Sequence, residues 1–443
     1  MSTISAMSVQ EAALQITELL ENSGSVFIRT EPEVPDFTIR APFRVIISGL
    51  KQKVELEVSP NNIRSIVGIF DATIFNEELL DRIYAWNLKA LSTYFHAFVP
   101  KFVRPTNKVY DLKVIESFLG IRKNRPENVV EAINRVKIAV KRKNWQSLYK
   151  ILHLPLSLQV LPSIETTPLL NDATRKSEYP YYEVEGQANG RMNCMKKYTN
   201  SYLPHNMGPE ARKVLKPQGN NMKFLSADFR HCEVTVLQWL TGDEKLKEIL
   251  DSGADLHRRI YELVTGDSCN TDTKRDISKL MFLPVMFGCG ASMLARQLKV
   301  TEEVGIELHS RIRTTFSTAM NWMLEIQEQA KLGLVTDYFG RCRKFGADEG
   351  YKARNFRVQG VAATACQEKL VALYKALDGE STHLVCSVHD GYVIACELSK
   401  ARQAYQTVKS VLESESQLCP GLKMKVQIKF GPRLNNMKEF WRD

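Results

Sequence analysis

No cysteine precedes Cys194, and the nine in the chain are odd in number and form no Cys-x-x-Cys pair. That pattern argues against a disulfide framework or a zinc site and fits a reducing interior. No apolar stretch reaches the ~18–20 residues that cross a bilayer. The longest, residues 280–295, is interrupted by Pro284, Gly288 and Gly290. The first twenty residues lack a basic start and carry Glu11 and Glu18, so neither a secretory signal nor an Arg-rich transit peptide is expected. Internal repeats and low-complexity tracts are missing too, which sets aside solenoids and disordered tails.

Of the 443 residues, 44% are hydrophobic and 25% charged, a globular balance with length enough for two or three cores. The net charge of +10 suggests a polyanionic partner. Most of it sits in residues 101–150, where thirteen Lys and Arg face four acids. Ahead of that stretch an amphipathic helix is expected over 9–20 and short strands over 25–28, 43–47 and 54–58. Helices are expected over 77–95 and 108–119. Val129, Ile133, Val136 and Val140 then fall on one face of a further helix, with Arg135, Lys137, Lys141, Arg142 and Lys143 displayed mostly elsewhere. A run of one sign with few acids fits a phosphate track. The expected organisation is an α/β domain over 1–120, a basic helical segment over 121–182 and a larger unit over 183–443.

Three blocks in the larger unit carry candidate chemistry. In the first, an apolar strand delivers Asp228 at its end, and Glu233 follows on a segment of helical period. In the last, 384–396 reads as an apolar hairpin with His389 and Asp390 at its tight centre. If the two strands are neighbours, the carboxylates form a rigid pair of hard oxygen ligands suited to magnesium. Two such ions ~3.5–4 Å apart can activate an attacking hydroxyl and stabilise the leaving oxygen of a phosphoryl transfer. Taken singly, each Asp reads as a turn residue, since Asp390-Gly391 is an ordinary hairpin signal. The middle block repeats every fourth residue as Arg275, Lys279, Leu283 and Phe287. On a helix each such step turns only ~40°, so the four form one stripe, two cations followed by two apolar side chains. Such a stripe can grip a triphosphate at one end and pack a base or sugar at the other. Leu and Phe at this spacing are also common core residues.

Together and in this order, the blocks resemble motifs A, B and C of the family A DNA polymerases, the bacterial and bacteriophage polymerase I type. Asp228-x4-Glu233 resembles motif A, Arg275-x3-Lys279-x3-Leu283-x3-Phe287-Gly288 motif B, and Val388-His389-Asp390 motif C. Gly190-Arg191, Asp255-Leu256-His257, Gly340-Arg341 and Asn355-x3-Gln359-Gly360 match further family elements in the expected order. The resemblance covers about 183–443.

It implies a multidomain α/β and α+β protein, a right-hand polymerase with palm, fingers and a reduced thumb, preceded by a small α/β exonuclease-like domain. It implies that Asp228 and Asp390, with the Phe229 carbonyl, hold two Mg2+ ions. Arg275, Lys279 and His257 would then meet the incoming deoxynucleoside triphosphate, with Leu283 and Phe287 packed beside it and Glu233 barring a ribose 2′-hydroxyl. His389 would approach the primer terminus. Arg191, Arg341, Asn355 and Gln359 would contact the primer–template duplex, through contacts that position it without reading sequence. The basic segment, with Arg135, Lys137, Lys141, Arg142 and Lys143, takes the place of the thumb. So short a thumb points to a processivity factor or another replisome protein as partner, and no membrane. The implied setting is the cytoplasm of a bacterium or of a virus-infected host cell.

Some positions depart from the family pattern. Gly391 stands where a second acid usually follows motif C, Leu283 replaces an aromatic and Phe287 a Tyr, and Pro284 interrupts the helix. Nearer the amino terminus, Val26-Phe27-Ile28-Arg29-Thr30-Glu31 resembles the first strand of the family's proofreading domain, with Arg29 in place of its metal-binding Asp. Trp86-Asn87-Leu88-Lys89 resembles a later stretch with its acid lost, and Asp111 reads as a remnant. A guanidinium in place of a carboxylate inverts the local charge, so this domain is expected not to cleave; the alternative is an unrelated α/β accessory domain. Two other readings fit parts of the chain. One is a catalytically weak or inactive polymerase-like DNA-binding replisome protein, against which the retained Asp228 and Asp390 argue. The other is a single-subunit RNA polymerase-like nucleotidyltransferase, against which Glu233 argues.

Overall fold

A computed structural model describes residues 9–39, 41–50, 52–72, 74, 82–98, 109–118, 120, 125–126, 129–140, 148–153, 155–219 and 221–439. The chain forms two compact units, one of Met1–Asp228, Cys366–Ser414 and Val426–Asp443, the other of Phe229–Ala365 and Glu415–Lys425. In the first unit, after α1 (Val9–Ser23), β1 (Ser25–Glu31), β2 (Phe43–Ser48) and β3 (Lys53–Val58) form an antiparallel meander, and after α2 (Ile63–Ala72), β4 (Arg82–Ala85) and β5 (Val109–Asp111) extend it in parallel. The strand order is β3-β2-β1-β4-β5. The central strand β1 is covered on both faces, which is why Val26, Phe27 and Ile28 are consecutive, buried and apolar.

Two sequence expectations fail here for a shared reason. The helices expected over 77–95 and 108–119 are preceded or opened by strands, Arg82–Ala85 ahead of α3 (Leu88–Phe98) and Val109–Asp111 ahead of α4 (Leu112–Phe118). A strand of three or four residues buried on both faces shows no period of two, so its apolar run merges with the helix that follows. The basic helix also finds a partner. In α5 (Val129–Val140), Val129, Ala132 and Val136 are buried, and the helix packs on β1 and β4 as a layer of the α/β sheet. Arg135 is committed to Glu116, at 2.7 Å, and to Glu131. Lys137 is exposed. Lys141, Arg142 and Lys143 lie outside the described residues.

Further along the first unit, β6 (Leu169–Asn171), β7 (Lys176–Glu178) and β10 (Leu215–Lys216) form a small sheet, and β8 (Tyr182–Glu183) pairs with β9 (Asn193–Cys194). A second five-stranded sheet follows. Its order is β14-β15-β11-β16-β17, made of β11 (Met222–Phe229), β14 (Thr382–Val388), β15 (Gly391–Glu397), β16 (Val426–Arg433) and β17 (Asn436–Glu439).

The second unit is mostly helical, with the hairpin of β12 (Leu334–Thr336) and β13 (Cys342–Lys344) at its side. Ile326, Ala330, Val335, Phe345, Ala353 and Phe356 build one apolar cluster, with Trp322 against it. Beside it Arg341 is fully buried and ion-paired with Asp337, and its amide donates to Asp337 Oδ1 at 2.9 Å. Gly360 makes the room, since a Cβ there would lie 2.5 Å from Asp337 Oδ2. Gly340-Arg341 and Gly360 therefore serve one buried ion pair, and Arg341, fully buried, presents no surface to a duplex. No helix among the described residues is long and apolar enough to cross a membrane.

Candidate functional site

The two carboxylates singled out by sequence stand on neighbouring strands. β11 runs antiparallel to β15 from Met222 opposite Glu397 to Asp228 opposite Gly391. On the other side of β15, β14 pairs down to Val388 opposite Gly391, which leaves His389 and Asp390 as a two-residue turn. His389 takes φ +56°, the left-handed conformation that such a turn requires. Asp228 is thus directly across from the residue that follows Asp390. Burial at the strand end and the neighbouring Asp390 raise the Asp228 pKa, although part of the side chain reaches solvent, and Lys429 and Arg212 offset this in part. The His389 ring stacks on His205 at 4.7 Å between centroids. Burial, His389 and Arg191 push the His205 pKa down to about 4.

In the second unit the stripe of four lies on the Asp272–Met286 helix and its cap, and the burial pattern shows which way it faces. Ser278, Met281, Phe282, Val285 and Met286 are buried, whereas Arg275, Leu283 and Phe287 are half-buried and Lys279 is exposed. Leu283 and Phe287 are therefore outside the core face. Pro284 is carried inside the helix, which continues to Met286. Asp255 caps the Leu256–Thr265 helix through the amides of His257 and Arg258 and receives Arg275 Nε at 2.8 Å. His257 meets His231 edge-on at 5.3 Å. Burial, then His231 and Arg275, push the His257 pKa down to about 4, so its imidazole is neutral near pH 7. The Nδ1 of His257 and Oδ1 of Asn355 are buried with no hydrogen-bond partner among the described residues. Gln359 Nε2 donates to Glu233 Oε1 at 3.0 Å, so these two sequence candidates meet.

Arg191 lies in the first unit beside Gly190, whose φ of +79° turns the chain and whose carbonyl accepts from Gln367 Nε2 at 2.7 Å. Sequence reasoning missed the clamp that Asp255 places on Arg275 and the stacking of His205 on His389. An acid at a helix start announces a cap and nothing more, and His205 is 184 residues from its partner.

DNA polymerase family A is the family whose model matches this chain, over residues 161–436. The chain belongs to that family. It is 28% identical over 236 residues to the thermostable DNA polymerase I of Thermus filiformis, covering 50% of this chain and 28% of that protein. To the DNA polymerase of Mycobacterium phage L5 it is 24% identical over 191 residues, 43% of this chain and 31% of the relative. The match thus spans about a third of the length of these curated relatives. In fold it is similar to the POL domain of Pol1 from M. smegmatis, solved with DNA primer-template and dNTP. The TM-score is 0.77 at 13% identity, covering 97% of this chain and 99% of that one.

The β14-β15-β11-β16-β17 sheet carries Asp228 and borders the Asp390 turn, the place the sequence resemblance gives to a palm, and the helical unit carries Arg275 to Phe287, the place it gives to fingers. Among the described residues, no group of three or more His, Cys, Asp and Glu side chains could hold a metal ion. Asp228 and Asp390 suit a hard divalent cation all the same. Magnesium commonly takes one or two carboxylates and completes its shell with water and substrate phosphates. Burial and then the neighbouring Asp390 raise the Asp228 pKa, and a bound cation would offset both.

Proposed function

We propose that the chain is a template-directed DNA polymerase, joining a primer 3′-hydroxyl to the α-phosphate of a deoxynucleoside triphosphate with release of pyrophosphate. The observation that carries this reading is the register of β11 and β15, which sets Asp228 beside the turn holding Asp390. Asp228, Asp390 and the Phe229 carbonyl would hold two Mg2+ ions, which supply an activated hydroxyl and charge stabilisation at the leaving oxygen. Arg275 and Lys279 lie on the accessible face of their helix and bind the triphosphate. The neutral His257, with an unpartnered Nδ1, offers that site a further polar contact. Leu283 and Phe287 pack the nucleotide. His389, Arg191, Asn355 and Gln359 take the primer–template. Primer extension by wild type, Asp228→Asn and Asp390→Asn tests the assignment.

Glu233, steadied by Gln359, bars the ribose 2′-hydroxyl. Glu233→Ala is expected to raise ribonucleotide incorporation about tenfold or more, the effect of one steric or polar clash, measured as the ratio of kcat/KM for ribo- and deoxynucleotides. Equal use of both by the wild type would favour the RNA polymerase-like reading instead.

Gly391 stands where family members usually have an acid, and the geometry gives it a use. A Cβ there would lie 2.0 Å from Asp228 Oδ1 and 2.9 Å from its Cγ, so the Asp228 carboxylate occupies that space. Gly391→Ala is expected to displace Asp228 and lower extension about 10²-fold, with duplex affinity unchanged in a binding titration. Wild-type extension by this variant would mean that Asp228 moves aside freely.

The N-terminal sheet is the family's proofreading fold without its chemistry. Arg29, Arg44 and Arg125 all lie within 3.6 Å of Glu31, Arg44 at 2.7 Å, which leaves little charge for a metal. Asp111 is buried and accepts from the amides of Asn87, Leu88 and Lys113 at 3.2, 2.8 and 3.1 Å. A 3′-mismatched primer incubated with magnesium and no nucleotides is expected to keep its length on a sequencing gel. Shortening that persists in Asp228→Asn would overturn the loss of cleavage.

A further inference from the structure

One point on the edge of the palm sheet is closed by a side-chain hydroxyl. β14 is the edge strand, and an edge residue has backbone groups turned away from its neighbour with no strand to receive them. At Ser387, three residues before Asp390, both groups go to the buried phenol of Tyr182. Its hydroxyl donates to the Ser387 carbonyl at 2.8 Å and accepts from the Ser387 amide at 3.0 Å. One oxygen thus does at this point what a sixth strand would do.

Tyr182 is itself held from the N-terminal layer. Its amide donates to Glu165 Oε1 at 2.7 Å. Glu165 is fully buried and also accepts from Lys89 Nζ at 2.7 and 2.9 Å, from the Thr93 hydroxyl at 2.8 Å and from the Tyr198 hydroxyl at 3.0 Å. Lys89 and Thr93 lie on α3 of the α/β layer. The Glu165 helix, Leu161–Thr166, packs against both α3 and β14. An unbroken series of buried hydrogen bonds therefore runs from α3 to the strand that ends in the His389-Asp390 turn.

We propose that Tyr182 is a positioning residue for Asp390, and that the Lys89–Glu165 pair sets Tyr182 in place, so that the N-terminal layer braces the palm turn. The proposal rests on the reading of Asp390 as a ligand of the catalytic cation. A domain that does not cleave DNA then still serves catalysis, through a lysine in the stretch that resembles a lost exonuclease motif.

Tyr182→Phe keeps the ring and removes the brace. Amide hydrogen exchange of the full chain without metal is expected to quicken about tenfold at residues 387–391, the loss of one buried hydrogen-bonding group, with the rest of β14 and β15 unchanged. In primer extension kcat falls about tenfold, the KM for nucleotide stays within about twofold, and more magnesium is needed for half-maximal rate. The charge-neutral pair Lys89→Met with Glu165→Gln gives the same local exchange pattern, and stands in if Tyr182→Phe does not fold. Exchange that is unchanged, or uniformly faster across the sheet, overturns the proposal, as does local acceleration with wild-type kcat. Normal extension by Asp390→Asn would overturn the ligand assignment and this proposal with it. An inactive Asp390→Asn beside a Tyr182→Phe of wild-type exchange and kcat would overturn this proposal alone.

Discussion

Asp390→Asn is expected to lower primer extension about 10³-fold or more, and Asp228→Asn to do the same, with affinity for primer–template within a few-fold of wild type. The magnitude follows from the several kcal/mol that a bound cation contributes to charge stabilisation, at a factor of ten for each ~1.4 kcal/mol. An amide keeps the shape of the carboxylate and removes its charge, so fold and duplex grip are spared. The two losses do not add, because both side chains serve one charge distribution. The double variant is therefore predicted to be about as slow as either single one. Rapid-quench extension with a matched nucleotide, alongside a duplex-binding titration, gives both quantities. The same product yield from wild type and both variants would end the paired-carboxylate reading.

Asp228 is also where the sequence was most legible. A strand that ends in an acid and a hairpin with His-Asp at its tip are local patterns, and local patterns survive folding because strand pairing and turn chemistry are set by near neighbours. Pairing between β11 and β15 could only be conditional in sequence, since 163 residues separate Asp228 from Gly391. The Arg275-to-Phe287 stripe was legible for a similar reason, but its direction was not. Helical spacing alone leaves Leu283 and Phe287 equally suited to core or ligand, and only the burial of Met281, Phe282, Val285 and Met286 decides between them.

Arg341 and Arg135 were misread because charge carries no address. A guanidinium in a Gly-Arg turn reads as a phosphate contact until its neighbour is known to be the buried Asp337. Arg135 counts as free positive charge until Glu116 and Glu131 are placed against it. The thumb-like segment was drawn as a separate element because its apolar stripe, Val129 and Val136 included, had no visible partner in sequence. β1 and β4 supply that partner.

Glu165→Ala is expected to destabilise the chain by about 3–5 kcal/mol, the usual consequence of removing one member of a buried ion pair. Four donors lose the carboxylate at once, Lys89, Thr93, the Tyr182 amide and the Tyr198 hydroxyl, and of these the Thr93 hydroxyl keeps the Lys89 carbonyl at 3.0 Å. The ammonium of Lys89 also sits 3.4 Å from the centroid of the Tyr181 ring, which cannot by itself replace a carboxylate. Burial lowers the Lys89 pKa, and Glu165 is the main influence holding it up. Without Glu165 the folded-state pKa falls further, while the unfolded value stays at its ordinary 10.5. Between those two values the unfolded chain binds the proton that the folded chain refuses, so the variant gains stability as pH rises toward 10.5. The wild type, whose Lys89 pKa is lowered less, gains over a narrower range, so the deficit, measured by urea denaturation, should be larger at neutral than at alkaline pH. A deficit that does not change with pH would assign the loss to the three neutral donors and not to the stranded lysine.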